Sequence, residues 1–472
     1  MMDGGFGRLP SAPENPSYST LALGSSLAFR QTCLTRQSAR ERRWRDHCKR
    51  SSLRLFARDQ RKYSDLAATV ERIGDPLRPG LRPGISGLWP DRNTGSPRMV
   101  QDTTASPGAT KIRAVIVCPG GRHFEGGISR AMDYLATAFE QRPDAPQVRI
   151  VDPRGTGSLV WSPFFLMRAA AEVAWLFATA KADILHINVS VGASTARKSI
   201  IALVGRMVGA PYLVHIHSGR YHHFYRGLPG PVRSFTRRML TRAARVVVLG
   251  AEWRAFVVDE VGIDPDRVVV MHNAVPGPAV IERREEASKP PKILFLGRLG
   301  QGKGVPELIE ALATPRIAAL PWTAVLAGDG DIEAYRKAAA ERGIGDRIAF
   351  PGWVGPDTVR ELLSSADIMV LPSHHEGLPM SVLEGMAYGL TVVSTPVGAI
   401  GEAIDNGVSG LLVPPGDVKA LTDALGRVLS DADLRRLLSN GARTAFLEGF
   451  DVNGYATRMA ALYAACLADS RH

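Results

Sequence analysis

Cysteine is scarce: four in 472 residues, Cys33, Cys48, Cys118 and Cys466, none at the spacing of a thiolate metal site or a disulfide framework. That scarcity fits a reducing, cytoplasmic setting. Long apolar runs are missing too. The nearest, Pro163 to Ala180, is interrupted by Arg168 and Glu172 and is not expected to span a bilayer. The opening residues lack the charged-then-apolar order of a secretory signal, so export is not expected. Acidic residues are depleted in one place only. Residues 1 to 98 hold 18 Lys/Arg against 9 Asp/Glu, or +9 of the chain's +12. The basic pI is therefore a property of the tail, and the body does not read as a polyanion binder.

Residues 1–110 also lack a periodic apolar pattern and are rich in Arg, Ser, Pro and Gly. They read as a basic, disordered extension, with a basic helix over 37–62 and a linker over 76–107 as local features. A transit peptide has a similar composition, and Met99 is an alternative start that would leave these residues untranslated. A nucleic-acid-binding role for the tail is a weak alternative, since no binding fold is recognisable in it.

From Lys111 the pattern changes. Short Val- and Ile-rich runs alternate with helical stretches. The first series of strands is 113–118, 147–152, 184–188, 212–217, 245–249 and 268–271. After a break at 276–291 the second is 292–296, 324–327, 347–350, 368–371, 391–394 and 410–413. Apolar runs of this length between helices predict buried parallel strands. Two series of six predict an α/β chain of two facing, doubly wound domains, over 111–285 and 286–450, with a helix over 451–472. Ligands of such sheets bind beyond the C-terminal strand ends.

Two motifs sit at such ends. Gly297-Arg-Leu-Gly-Gln-Gly-Lys-Gly304 places Arg298 and Lys303 in a glycine-rich loop after a strand. Two cations with backbone N–H groups suit a diphosphate, although a solvated turn is the plainer reading, and the Gly-Lys-Ser/Thr of a P-loop is missing. Ser373-His-His-Glu-Gly-Leu-Pro-Met-Ser-Val-Leu-Glu384 follows another strand. Pro379 suits a first helical turn, and the N–H groups of Gly377, Leu378 and Met380 would face an anion. Glu376 and Glu384 would lie on either side of it and hold sugar and ribose hydroxyls.

These stretches, with Ala327-Gly-Asp-Gly330, Phe350-Pro-Gly-Trp-Val354, Val397-Gly-Ala-Ile-Gly-Glu402 and Asn406 to Asp417, resemble the family 4 retaining glycosyltransferases of the GT-B fold. The match is continuous over about 290–430 and looser over 111–289. The resemblance implies two Rossmann-like domains, a nucleotide-sugar donor and transfer with retention, with no metal and no other cofactor. By it, Arg298 and Lys303 neutralise the diphosphate, Glu384 binds ribose, and Glu376 contacts the donor sugar near the transition state. Backbone at 352–354 would face the base. Asp329 and Asp331, a pair that could hold a metal, read as structural.

In the first domain, Glu125-Gly-Gly-Ile-Ser-Arg130 is similar to the family's glycine pair, with Gly126 and Gly127 approaching the donor phosphates. His217, at a strand end, is similar to the histidine beside the reaction centre. His215, His222 and His223 read as structural or acceptor-lining. The usual Pro-Asn-Gly after the sixth strand is His272-Asn-Ala274 here.

The expected activity is transfer of a hexose-type sugar to a saccharide or lipid-linked acceptor in cell-surface polysaccharide synthesis. A nucleotide-sugar epimerase of the same fold is the alternative. An amphipathic helix over 232–246, with Arg233, Arg237, Arg238, Arg242 and Arg245 opposite Val232, Phe235, Met239, Leu240 and Ala243, could lie on anionic lipid at the inner face of the membrane. An ordinary surface helix is the plainer reading.

Overall fold

The computed structural model describes residues 111–121, 126–155, 159–281 and 290–470. All belong to one compact unit, Thr104–His472. The expectations for residues 1–110, and for Glu125, lie outside the described residues.

The first sheet comprises β1 (Arg113–Val117), β2 (Gln147–Val151), β3 (Ile184–Val189), β4 (Tyr212–Ile216), β5 (Arg245–Val248) and β6 (Val268–Val270). Its order is β2-β1-β3-β4-β5-β6, and every pairing is parallel. Between the strands lie α1 (Gly127–Glu140), α2 (Ser162–Ala178), α3 (Ala193–Met207), α4 (Tyr221–Arg226), α5 (Gly230–Thr241) and α6 (Ala251–Asp259). The strands are sealed on both faces: each residue of β3 and β4 is buried, as continuous apolar runs require.

The second sheet comprises β7 (Lys292–Leu296), β8 (Thr323–Ala327), β9 (Ile348–Gly352), β10 (Ile368–Leu371), β11 (Thr391–Ser394) and β12 (Leu411–Leu412). Its order, β12-β11-β10-β7-β8-β9, is again parallel throughout. The longer helices here are α7 (Val305–Ala313), α8 (Ile332–Glu341), α9 (Pro356–Ser365), α10 (Met380–Ala387), α11 (Val418–Ser430) and α12 (Ala432–Ala445). Both sheets are the doubly wound kind expected. In the second the chain order reverses between β7 and β10, and in the first between β1 and β3. Those gaps are where a ligand fits.

The last helix, α13 (Val452–Asp469), packs on α1. Tyr455, Met459, Leu462, Tyr463 and Cys466 join Ile116, Met132, Leu135 and Phe139 in one buried cluster. The spacing 132, 135 and 139 is one stripe of α1, and burying each such side chain stabilises by about 1.5–3 kcal/mol.

One expected element is shorter than its pattern. The helix over 232–246 ends at Thr241, because the run Arg245–Val248 is taken into the first sheet as β5. Thr236, Met239 and Leu240 are buried, whereas Val232 and Phe235 stand 45% and 40% exposed. The arginines do not form one free face either: Arg237 Nε donates to Val261 O at 2.7 Å, and Arg245 pairs with Asp469 at 2.6 Å.

Candidate active site

The loop after β7 and the loop after β10 flank the reversal point of the second sheet. Gly304 closes the first loop in the left-handed region, at φ 71°. A Cβ there would lie 2.1 Å from Pro372 O, so the two loops touch backbone to backbone. This contact sets Lys303 Nζ 2.6 Å from Glu376 Oε1. Ser373 Oγ donates to the same oxygen at 2.7 Å. Glu376 is only 10% exposed, and its carboxylate is held between a cation and a hydroxyl. Arg298 stands outside this cluster: it is 75% exposed and 3.8 Å from Asp329.

Glu376 is also one of the points where the two domains meet. A Cβ on Gly219, in the loop after β4, would come within 2.1 Å of Glu376 O. Gly398, at φ 61°, lies against the same oxygen from the other side, with a Cβ distance of 2.4 Å. A Cβ on Gly377 would lie 3.4 Å from His217 O. The structure thus brings together His217, Lys303, Glu376 and Gly377.

His217 is half-buried, and its Nε2 is hydrogen-bonded to Asn188 Oδ1 at 2.7 Å. Burial, and secondarily the Lys198 cation, hold its pKa below the ordinary histidine range. His217 is therefore neutral near pH 7. Its ring packs 3.9 Å from that of His215. Behind it, His186 bridges to His215 at 3.3 Å and to Tyr463 OH at 2.8 Å. His186 and His215 are core residues.

Glu384, on α10, is buried rather than on a solvated helix face. It pairs with Arg130 Nη2 at 2.9 Å and accepts from Tyr134 OH at 3.2 Å. Burial raises its pKa, while Arg130 and Tyr134 oppose that rise. Arg130 and Tyr134 lie one turn apart on α1, just past Gly126 and Gly127. Gly127 opens that helix with no described atom within 4 Å of where a Cβ would be, so the backbone borders open space.

Pro379 is the N-cap of α10 and not part of its first turn. The free N–H groups of the helix start are therefore those of Met380, Ser381 and Val382. Gly377 and Leu378 belong to the preceding turn, where their carbonyls accept from Ala399 N at 2.8 Å and Asn273 Nδ2 at 2.8 Å. Asp331 caps α8, accepting from Ala334 N at 3.3 Å, which is the structural use expected of it.

Sequence reasoning assigned no role to Ser373, Gly219, Gly398, Arg130, Tyr134 and Glu402. Glu402 bridges the domains, accepting from Ala251 N at 2.8 Å and meeting His272 Nε2 at 3.0 Å. Of these, only the four-residue spacing of Arg130 and Tyr134 was a usable local signal.

Comparison with known proteins agrees with this geometry. The profile of glycosyl transferases group 1 matches residues 290–431, and that of the glycosyl transferase 4-like domain matches residues 94–274. The alpha-D-kanosaminyltransferase of Streptomyces kanamyceticus is 27% identical over 55% of this chain and 72% of its own length. The 2-deoxystreptamine N-acetyl-D-glucosaminyltransferase of Streptomyces fradiae is 29% identical over 63% of this chain and 76% of its own. Among solved structures, a glycosyltransferase from Rickettsia africae superimposes with a TM-score of 0.60 at 20% identity, covering 76% of this chain and 99% of that one. The Anabaena protein HepE, solved with UDP and glucose, gives 0.58 at 17% identity, covering 75% of this chain and 100% of that one. With two six-stranded parallel sheets and a matching profile over each, the chain belongs to the group 1 glycosyltransferases of the GT-B fold.

Proposed function

We propose that this glycosyltransferase moves a hexose-type sugar from a nucleotide-sugar donor to a saccharide or lipid-linked acceptor, with retention and without a metal. The Lys303–Glu376 pair at the reversal point of the second sheet carries this reading. Breaking the sugar–diphosphate bond places charge on the leaving phosphate, where a fixed cation is most effective. The entering diphosphate takes Lys303 from Glu376, Arg298 swings in from its exposed position, and the N–H groups of Met380, Ser381 and Val382 add their dipoles. Glu376, released from Lys303 but still held by Ser373, faces the sugar carbon as it becomes cation-like. Glu384 turns from Arg130 to the ribose diol. Closure around Gly219 and Gly398 keeps water from the reacting carbon.

The test is release of nucleotide diphosphate from UDP-, GDP- and ADP-sugars by the full chain, in EDTA, with membrane lipid and oligosaccharide as acceptors. Acceptor-stimulated release from one donor is expected, with the anomeric configuration retained. Release that requires an added metal would overturn the metal-free reading. An epimerase would return an epimerised nucleotide-sugar with no net release of nucleotide diphosphate, whether or not an acceptor is present.

A role in cell-surface polysaccharide synthesis places the acceptor near a membrane, and one face of the first domain supports peripheral attachment. Trp161, Phe164, Met167, Ile200, Leu203 and Met207 are 40–79% exposed on and beside the adjacent helices α2 and α3. Arg168 and Arg206 are exposed among them, and the acidic Glu172 is tied to Arg149 at 2.6 Å. An apolar surface edged with arginine suits an anionic bilayer. Co-sedimentation with phosphatidylglycerol vesicles, lost in a Trp161→Ser, Phe164→Ser, Met167→Ser variant, is expected. Equal sedimentation of both proteins removes the idea.

A further inference from the structure

Lys198 has no role in the chemistry above, yet its side chain is completely buried. Among the described residues its ammonium has one hydrogen-bond partner, Ser194 Oγ at 2.8 Å, and no ion-pair partner. An ammonium in that position costs several kcal/mol unless an anion meets it. The preceding residue has a similar deficit: Arg197 Nε is buried and, among the described residues, has no hydrogen-bond partner. The nearest acid, Asp152, is engaged elsewhere. It accepts from Gly120 N at 2.8 Å, Arg154 N at 2.8 Å and Gly155 N at 3.0 Å.

Topology places this cluster at the C-terminal edge of the first sheet. Asp152 follows β2, Arg197 and Lys198 lie in the second turn of α3 after β3, and His217 follows β4. With the sheet order β2-β1-β3-β4, they share the C-terminal edge that Gly219 presents to Glu376. Arg154 and Arg197 both push the Lys198 pKa down, after the larger effect of burial. Cys118 and Asp152 act in the opposite direction.

We infer that Lys198 and Arg197 form the subsite for a phosphate group carried by the acceptor, so that the sugar is transferred to a phosphorylated molecule beside His217. The inference rests on the transferase reading for what the phosphate belongs to. A phosphate supplies the charge that Lys198 lacks and an oxygen acceptor for Arg197 Nε. It also fixes the acceptor at one end, leaving its hydroxyl to point toward His217. A soluble sugar phosphate and a lipid phosphate present the same group.

The test is titration of the full chain, saturated with UDP so that the donor site is filled, with inorganic phosphate, glucose 6-phosphate, glucose and monomeric dihexanoyl phosphatidic acid. The three phosphates bind and glucose does not. Lys198→Met and Arg197→Gln each weaken phosphate binding by more than about tenfold, consistent with loss of a charge-assisted contact. Affinity for UDP stays as in the wild type, and Lys198→Met melts no lower than the wild type. A tenfold preference for glucose 6-phosphate over the short-chain lipid assigns a soluble acceptor, and the reverse preference a lipid-borne one. Phosphate binding that is absent, or unchanged in both variants, overturns the inference. So does a Lys198→Met protein that melts lower and loses UDP as well, because the lysine is then structural. If UDP, GDP and ADP all fail to bind, the transferase reading fails separately, and the phosphate titration on the nucleotide-free protein still decides the subsite.

Discussion

Lys303 Nζ lies 2.6 Å from Glu376 Oε1, across the gap between the strands where the second sheet reverses its order. The two residues come from loops 73 positions apart, and each is the other's nearest opposite charge. Replacing Lys303 with Ala removes the cation offered to the leaving diphosphate, and kcat is expected to fall by about 10²–10³-fold. Glu376→Gln keeps the Ser373 contact but not the charge and should lose a similar factor. Steady-state rates with the donor that the release assay identifies check both. A loss confined to KM would remove them from the transition state.

The pair Arg130–Glu384 joins the domains over more than 250 positions, with Glu384 buried and Arg130 37% exposed. Arg130→Ala leaves a buried carboxylate without its counter-charge. The expected cost is about 2–3 kcal/mol, below that of a fully buried pair because Arg130 keeps contact with water. Glu384→Gln should cost less, since the arginine left behind can reach solvent. Urea unfolding of the two variants and the double variant measures the coupling.

Two glycines separate stability from turnover. Gly304→Ala puts a Cβ 2.1 Å from Pro372 O at a left-handed φ, inside one domain, and should lower stability by about 2 kcal/mol or more. Gly219→Ala puts its Cβ equally close to Glu376 O, but between the domains. The cleft can open to relieve that contact. Its melting temperature should therefore hold while kcat falls, and calorimetry beside kinetics distinguishes the two.

The buried histidines make acid the weak side of the fold. His186 is held neutral by burial, with a pKa pushed down to about 3. A histidine whose folded pKa is depressed stabilises above its unfolded value and loses that contribution as pH falls. At pH 5, roughly 1.5 units below the ordinary value, His186 alone removes about 2 kcal/mol. Melting temperatures should drop between pH 7 and 5, and His186→Gln should flatten that slope.

Both six-stranded sheets were legible because a parallel strand buried on two faces is a short, unbroken apolar run, as at Ile368–Leu371. Lys303 and Glu376 were legible because each follows such a run closely. The misreadings have local causes. Arginines recur at helical spacing through 233–245, but β-sheet pairing claims Arg245, and neighbouring helices leave Phe235 uncovered. Pro379 reads equally well as cap or first turn. Arg130–Glu384 and Gly219–Glu376 were out of reach for another reason: they depend on where two domains touch, and no local pattern carries that distance.

The placement of α13 has a consequence for the order in which the protein can be made. Tyr463 and Cys466 complete the cluster around Ile116, and Tyr463 OH meets His186 Nδ1 at 2.8 Å. The first-domain strands leave the ribosome long before these residues exist. One flank of that domain stays open, and His186 lacks its tyrosine partner, until α13 is made. The first half of the protein is therefore translated early but completed late, by a helix that follows the whole second domain.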